Sequence, residues 1–169
     1  MSLAESMGCG MRVTRLFYAV VGLTIPLEAI AQGEVSVERG LQISIVGGCH
    51  DCHTEGYSES EGKIDPEKAL RGHSVGWRGP WGTSYASNLR RSFQRMSERT
   101  CVEYLKGFRT RPPMPWYNVR AMETSDLQSL CLYISSLGEP GAPAPASVYA
   151  EQEPTTPYVQ LVPPQMPGN

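Results

Sequence analysis

Cys49-His50-Asp51-Cys52-His53 decides how the rest of the chain is read. Two cysteines separated by two residues, with a histidine directly after them, form the C-x-x-C-H pattern of covalent haem attachment. The chemistry needs each position. Two thiols add across the haem vinyl groups, and their spacing sets both sulfurs along one edge of the porphyrin. His53 is then carried under the iron, where an imidazole nitrogen coordinates it. Other uses of these residue types fit less well. A structural zinc site wants a second ligand pair at matching spacing, and none appears. A thioredoxin-type C-x-x-C belongs after a strand in a βαβ context, which the sequence lacks. A plain Cys49–Cys52 disulfide leaves His53 without a role. One motif implies one haem c, attached through Cys49 and Cys52, with His53 as the proximal iron ligand.

Iron that shuttles electrons without binding small molecules needs a second axial ligand. The candidates are Met96, Met114, Met122, Met166, His50 and His73. Met114 is the best placed, because Arg111-Pro112-Pro113-Met114-Pro115 is held out of any helix by its prolines. Such a loop aims a side chain with little entropy loss. Met114 also stands far enough downstream of His53 for the chain to cross the haem and reach its other face. A core methionine filling a gap is the plainer alternative. Trp77, Trp81, Tyr85 and Trp116 flank these segments and are candidates to wall off the porphyrin. Arg78, Arg90 and Arg91 are candidate partners for haem propionates, although surface arginines are usually just solvated.

Working outward, the apolar run from Val35 to Val46 can be read as strand or helix by its period; Glu34, Glu38 and Arg39-Gly40-Leu41 favour a short helix, which Gly47-Gly48 would end. Residues 54–66 are polar and turn-forming, hence a surface loop. Gly72 to Gly82 mixes glycine with aromatics at no regular period, which predicts irregular structure packed on something large and flat. A helix begins near Ser97 as N-cap, with Glu98 inside it and Cys101, Leu105 and Phe108 on one face. The clearest helix is capped by Thr124 or Ser125 and carries the stripe Leu127, Leu130, Cys131, Ile134 and Leu137. Gly138 and Pro140 stop it. Prolines recur through residues 139–169, so this tail is predicted to be extended, draped over the domain or free. Cys101 and Cys131 either join the two helices as a disulfide or serve as two small buried hydrophobes.

The N-terminus reads as a targeting segment. Arg12 and Arg15 precede the apolar run Leu16–Ile25, and Ala29-Ile30-Ala31 supplies an A-x-A site. The run is only about ten residues, against roughly 20 for a spanning helix. Residues 1–31 are therefore expected to be a cleaved signal peptide, with an uncut anchor as the alternative and no stable membrane insertion afterwards. Export to the periplasm would place the four remaining cysteines in an oxidising compartment. Cys9 lies ahead of the apolar run, not behind it, and would leave with the signal. A formal net charge of −2, with basic residues scattered, gives no footprint for nucleic acid.

With these residues in hand, the chain resembles the class I c-type cytochromes, specifically small bacterial monohaem cytochromes. Three segments carry the likeness. They are Val37-Glu38-Arg39-Gly40 leading to Gly48–Thr54, then Gly82-Thr83-Ser84-Tyr85-Ala86-Ser87-Asn88-Leu89, then Pro113-Met114-Pro115-Trp116 followed by Met122, Ser125-Asp126-Leu127 and Leu132–Leu137. The second is similar to a segment of cytochrome subunits of periplasmic dehydrogenases. Those subunits usually continue into a longer Thr-Pro-Asp loop, where this chain has Arg90-Arg91-Ser92-Phe93. The resemblance implies an all-α cytochrome c fold over residues 32–138, its first and last helices crossing at Gly40 and Tyr133. It also implies His53 and Met114 as axial ligands and electron transfer as the activity. The chain would then be a carrier and not an enzyme, exchanging electrons with a dehydrogenase, a cytochrome complex or an oxidase. The alternatives are a haem enzyme or gas sensor with an open distal site, and a fixed subunit of a dehydrogenase or oxidase complex.

Overall fold

The structure, a computed structural model, describes residues 33–164, 166 and 167. The expected signal peptide and Cys9 lie outside the described residues. Helix α1 (Val37–Val46) starts where the Ser36 side chain accepts a hydrogen bond from the Arg39 amide at 3.1 Å. Gly47 ends it, and Gly48 turns the chain at φ +68° into the short helix α2 (Cys49–His53), which is the haem motif itself. The longest helix among the described residues, α6 (Thr124–Ser136), lies across α1. Their backbones touch at Gly40, where a Cβ would stand 2.0 Å from the Ser129 carbonyl oxygen and 2.6 Å from Tyr133 Cβ. Only hydrogen fits there. Arg39 ties the same crossing to Asp126 through Nε at 2.7 Å.

Helix α4 (Glu98–Gly107) begins at Ser97, whose hydroxyl accepts from the Thr100 amide at 3.2 Å. It is bonded to α6 by a Cys101–Cys131 disulfide that closes a separation of 30 residues. By loop-closure entropy such a link contributes roughly 3 to 4 kcal/mol. Leu105, Leu127, Leu130 and Ile134 complete the buried core around it, with Phe93 from α3 (Leu89–Phe93) and Val119 from α5 (Trp116–Ala121). α6 begins at Glu123, with no side chain bonded to its cap, so Thr124 and Ser125 sit inside its first turn and do not cap it.

The all-α expectation is corrected by the middle and end of the chain. Gly76–Gly79 (β1) and Gly82–Tyr85 (β2) form an antiparallel hairpin, with Trp77 opposite Ser84 and Gly79 opposite Gly82. The proline-rich tail then returns, and Tyr158–Gln160 (β3) pairs parallel to β1. Among the described residues the fold is thus six helices with a three-stranded mixed sheet in the order β2-β1-β3. The glycine-rich stretch read as irregular is this hairpin. Its glycines break the alternation that marks a strand: Gly76 and Gly79 lie against the Tyr85 and Trp81 rings, and Gly82 admits a neighbouring backbone. A Cβ on Gly82 would stand 2.2 Å from the Val148 carbonyl oxygen, where the tail crosses.

The tail is pinned along its length. Thr83 and Val148 exchange backbone hydrogen bonds at 3.0 Å each. Arg78 donates to the carbonyls of Gln152 and Ala150 and to Glu153, and the Tyr85 hydroxyl meets Thr156 Oγ1 at 2.8 Å. No helix among the described residues is long and apolar enough to cross a membrane.

Candidate functional site

Between the hairpin, α2 and the α4–α5 region lies a cavity of about 390 Å³. That is the scale of a small-molecule or cofactor site. Cys49, Cys52, His53 and Met114 all line it. Two features bring them there. The Gly48 turn leads into α2, whose Cys49, Cys52 and His53 line the cavity, and the proline-bound loop after α4 carries Met114 to its wall. Trp77 and Tyr85 come from the hairpin, and the rest of the apolar wall includes Leu89, Phe93, Leu105, Phe108 and Ile134.

His53 is buried, and its Nδ1 donates to the Ser87 carbonyl at 2.7 Å. A carbonyl only accepts, so the ring proton is on Nδ1 and Nε2 keeps its lone pair. Metal-binding histidines are oriented in this way. Burial lowers the His53 pKa and so favours the neutral ring, partly opposed by the hydrogen bond to the Ser87 carbonyl. Burial pushes the Cys49 thiol up to about 11 and raises Cys52 as well, so both are uncharged S–H groups. They are free and not joined to each other.

The competing axial candidates are occupied or elsewhere. His50 is fully buried between Ser44 Oγ at 3.0 Å and Thr54 Oγ1 at 2.7 Å. Ser44 spends its own proton on the Leu41 carbonyl, so His50 Nε2–H donates to Ser44. Thr54 Oγ1 accepts from the Leu70 amide and donates to His50 Nδ1. Both ring nitrogens are used. His73 Nδ1 accepts from the Val75 amide, Met166 is exposed, and neither they nor Met96 and Met122 line the cavity.

Of the four aromatics expected at the wall, Trp77 and Tyr85 are there. Trp81 folds back over Gly79, and Trp116 lies between the guanidinium groups of Arg109 and Arg120. The arginines read as propionate partners are corrected more fully. Arg78 clamps the tail. Arg90 is buried and donates to the carbonyls of Ala69, Pro66 and Leu137, which ties the end of α6 to the preceding loop. Arg91 lies in a separate surface groove. Arg111 is the charged residue that does line the cavity, and the sequence reading passed over it as part of a proline loop. Ser84 was missed too. Its hydroxyl is buried at the cavity wall with no hydrogen-bond partner.

A planar apolar group with a metal fits this arrangement. The cavity offers one free imidazole nitrogen, one thioether sulfur and two uncharged thiols between aromatic walls. No cluster of three or more His, Cys, Asp or Glu side chains able to hold a metal ion occurs among the described residues. An ion here would therefore have to bring most of its own ligands, as porphyrin iron does. No family model, no curated protein and no solved structure matches the chain.

Proposed function

We propose that this chain is a periplasmic electron carrier holding one haem c, with Cys49 and Cys52 as thioether anchors and His53 and Met114 as axial ligands. One observation carries the reading: a single cavity is lined by all four residues, and His53 presents to it as a neutral ring with Nε2 unused. The bound haem supplies a one-electron iron couple. Cys49 and Cys52 would hold the haem by adding S–H across its vinyl groups, sulfur to one carbon and hydrogen to the other, and burial keeps both thiols protonated. The Ser87 carbonyl holds the His53 ring in position and strengthens it as a donor. Trp77, Phe93, Leu105 and Phe108 exclude water, which favours the less charged reduced state. The Cys101–Cys131 disulfide supports an oxidising compartment for the folded chain. Partners would be redox proteins that dock briefly.

The test is an optical spectrum of oxidised and reduced holoprotein. Wild type is expected to be low-spin, with the weak red-end band of methionine sulfur on ferric iron, and Met114→Ala to lose that band. A high-spin wild type, or a band that survives Met114→Ala, defeats the distal assignment and favours a haem protein that binds small ligands.

A further inference from the structure

The Ser84 hydroxyl is a buried donor without a partner, and a buried polar group is rarely left so unless something else meets it. Ser84 is 8 % exposed, lies directly across the hairpin from Trp77, and lines the cavity on the same face of the sheet. Its neighbour Thr83 pairs with Val148, and Ser147, next to Val148, lines the cavity as well. Arg111 reaches this corner from the other side. Its Nη1 donates to the Val148 carbonyl at 3.3 Å, the same oxygen that Thr83 N–H meets at 3.0 Å, and its guanidinium lies over the Tyr149 ring. Among the described residues no carboxylate pairs with Arg111. Ser84, Ser147 and an unneutralised guanidinium therefore lie where the tail crosses the hairpin, in a mostly apolar cavity whose other polar side chains include Ser87, Ser92, Thr110 and Asn118.

We propose that Ser84, Arg111 and Ser147 form the carboxylate-receiving end of the cavity, completed by the proline-rich tail, and that it takes a carboxylate arm of the bound porphyrin. The proposal rests on the haem reading above. The Ser84 O–H and the remaining Arg111 N–H groups donate to the carboxylate, and the Val148 carbonyl fixes where the guanidinium points. The tail is then part of the binding site and not a free appendage.

The test is the pH dependence of the midpoint potential of the holoprotein, in buffers without carboxylate ions. Among the described residues no Asp, Glu or Lys lines the cavity, the titratable side chains facing it are His53, Tyr85, Tyr104 and the two cysteines, and Arg111 is the one fixed charge. An inflection on the acid side of neutral thus belongs to the bound carboxylate. Arg111→Gln is expected to raise it by about one pH unit, by loss of an opposite charge. Ser84→Ala raises it too, Ser84→Thr restores it, and Val148→Pro, which removes the N–H paired with Thr83, shifts it in the same direction. An inflection moved by Arg111→Gln but not by Ser84→Ala overturns the site, because a charge acts at a distance and a hydroxyl only by contact. An inflection indifferent to Val148→Pro overturns the tail's part. Either failure leaves a haem-loaded electron carrier standing, whereas a chain that binds no haem at Cys49 and Cys52 sinks both.

Discussion

Two glycines in this protein do the same steric job in different surroundings. Gly40 lets α1 meet α6, its absent Cβ leaving room for the Ser129 carbonyl oxygen at 2.0 Å, and Gly82 lets the hairpin meet the tail, with the Val148 carbonyl oxygen at 2.2 Å. Around Gly40 both partners are helices stiffened by their own hydrogen bonds, tied by Arg39 to Asp126 and backed by the disulfide between α4 and α6. Around Gly82 one partner is a two-stranded hairpin, marginal by itself, and the other an extended segment held to the hairpin by long-range bonds. The same close approach should therefore matter globally in the first place and locally in the second.

The largest expected effect breaks the first contact. Gly40→Val places atoms inside the Ser129 peptide, and neither helix can move without dragging its neighbours. A loss of ~4 kcal/mol or more is expected, enough to unfold much of the protein at room temperature. Urea unfolding followed by far-UV circular dichroism reads it directly. A midpoint close to wild type would mean that the helices can slide apart, and the contrast with Gly82 would lose its basis.

Acid tests the helical side through His50. Burial lowers its pKa to about 4, with the nearby His53 adding to that effect and Asp51 opposing it. The unfolded chain takes up the proton near 6.5, which the native protein refuses until about 4. Stability therefore falls as pH drops through that window, by roughly 3 kcal/mol at the lower end. The hydrogen bonds agree with the sign, since Ser44 and Thr54 are satisfied only by a neutral ring protonated on Nε2. Comparing unfolding at pH 7 and pH 4 in wild type and in His50→Gln isolates this contribution. An equal pH slope in the two proteins would show that His50 does not set it.

This contrast also explains what could be read before the structure. Ser97 as a cap, the stripe from Leu127 to Leu137 and the stop at Gly47 are local signals, carried by neighbours three or four residues away. The hairpin was not legible, because β1 finds its second partner in Tyr158–Gln160 and its glycines hide the alternation of a strand. Cys101 and Cys131 could be placed on apolar faces, but whether they meet depends on how α4 packs against α6. The site divides in the same way. The motif residues and Met114 were visible as residue types in a telling context. The carbonyl of Ser87 carries no sequence signal at all, and Ser84 looks like any strand serine until its hydroxyl is found without a partner.

The smallest effect sharpens the second contact. Arg78 holds the tail through the carbonyls of Ala150 and Gln152 and through Glu153, is itself steadied by Thr83 Oγ1 within the hairpin, and its side chain is 13 % exposed. Glu153 is 77 % exposed, so that ion pair is well screened and adds little. The carbonyl bonds matter more, because truncation leaves those acceptors to water or to nothing. Arg78→Ala should cost about 1 to 2 kcal/mol, felt where the tail opens and not where the helices separate. Amide hydrogen exchange distinguishes the two. The amides of Gly76, Thr83 and Val148, which bond across the hairpin–tail contact, should exchange faster in the variant, while those of α6 keep wild-type protection. If the α6 amides speed up by the same factor, hairpin, tail and helices open together, and the protein is one cooperative unit in spite of its two kinds of contact.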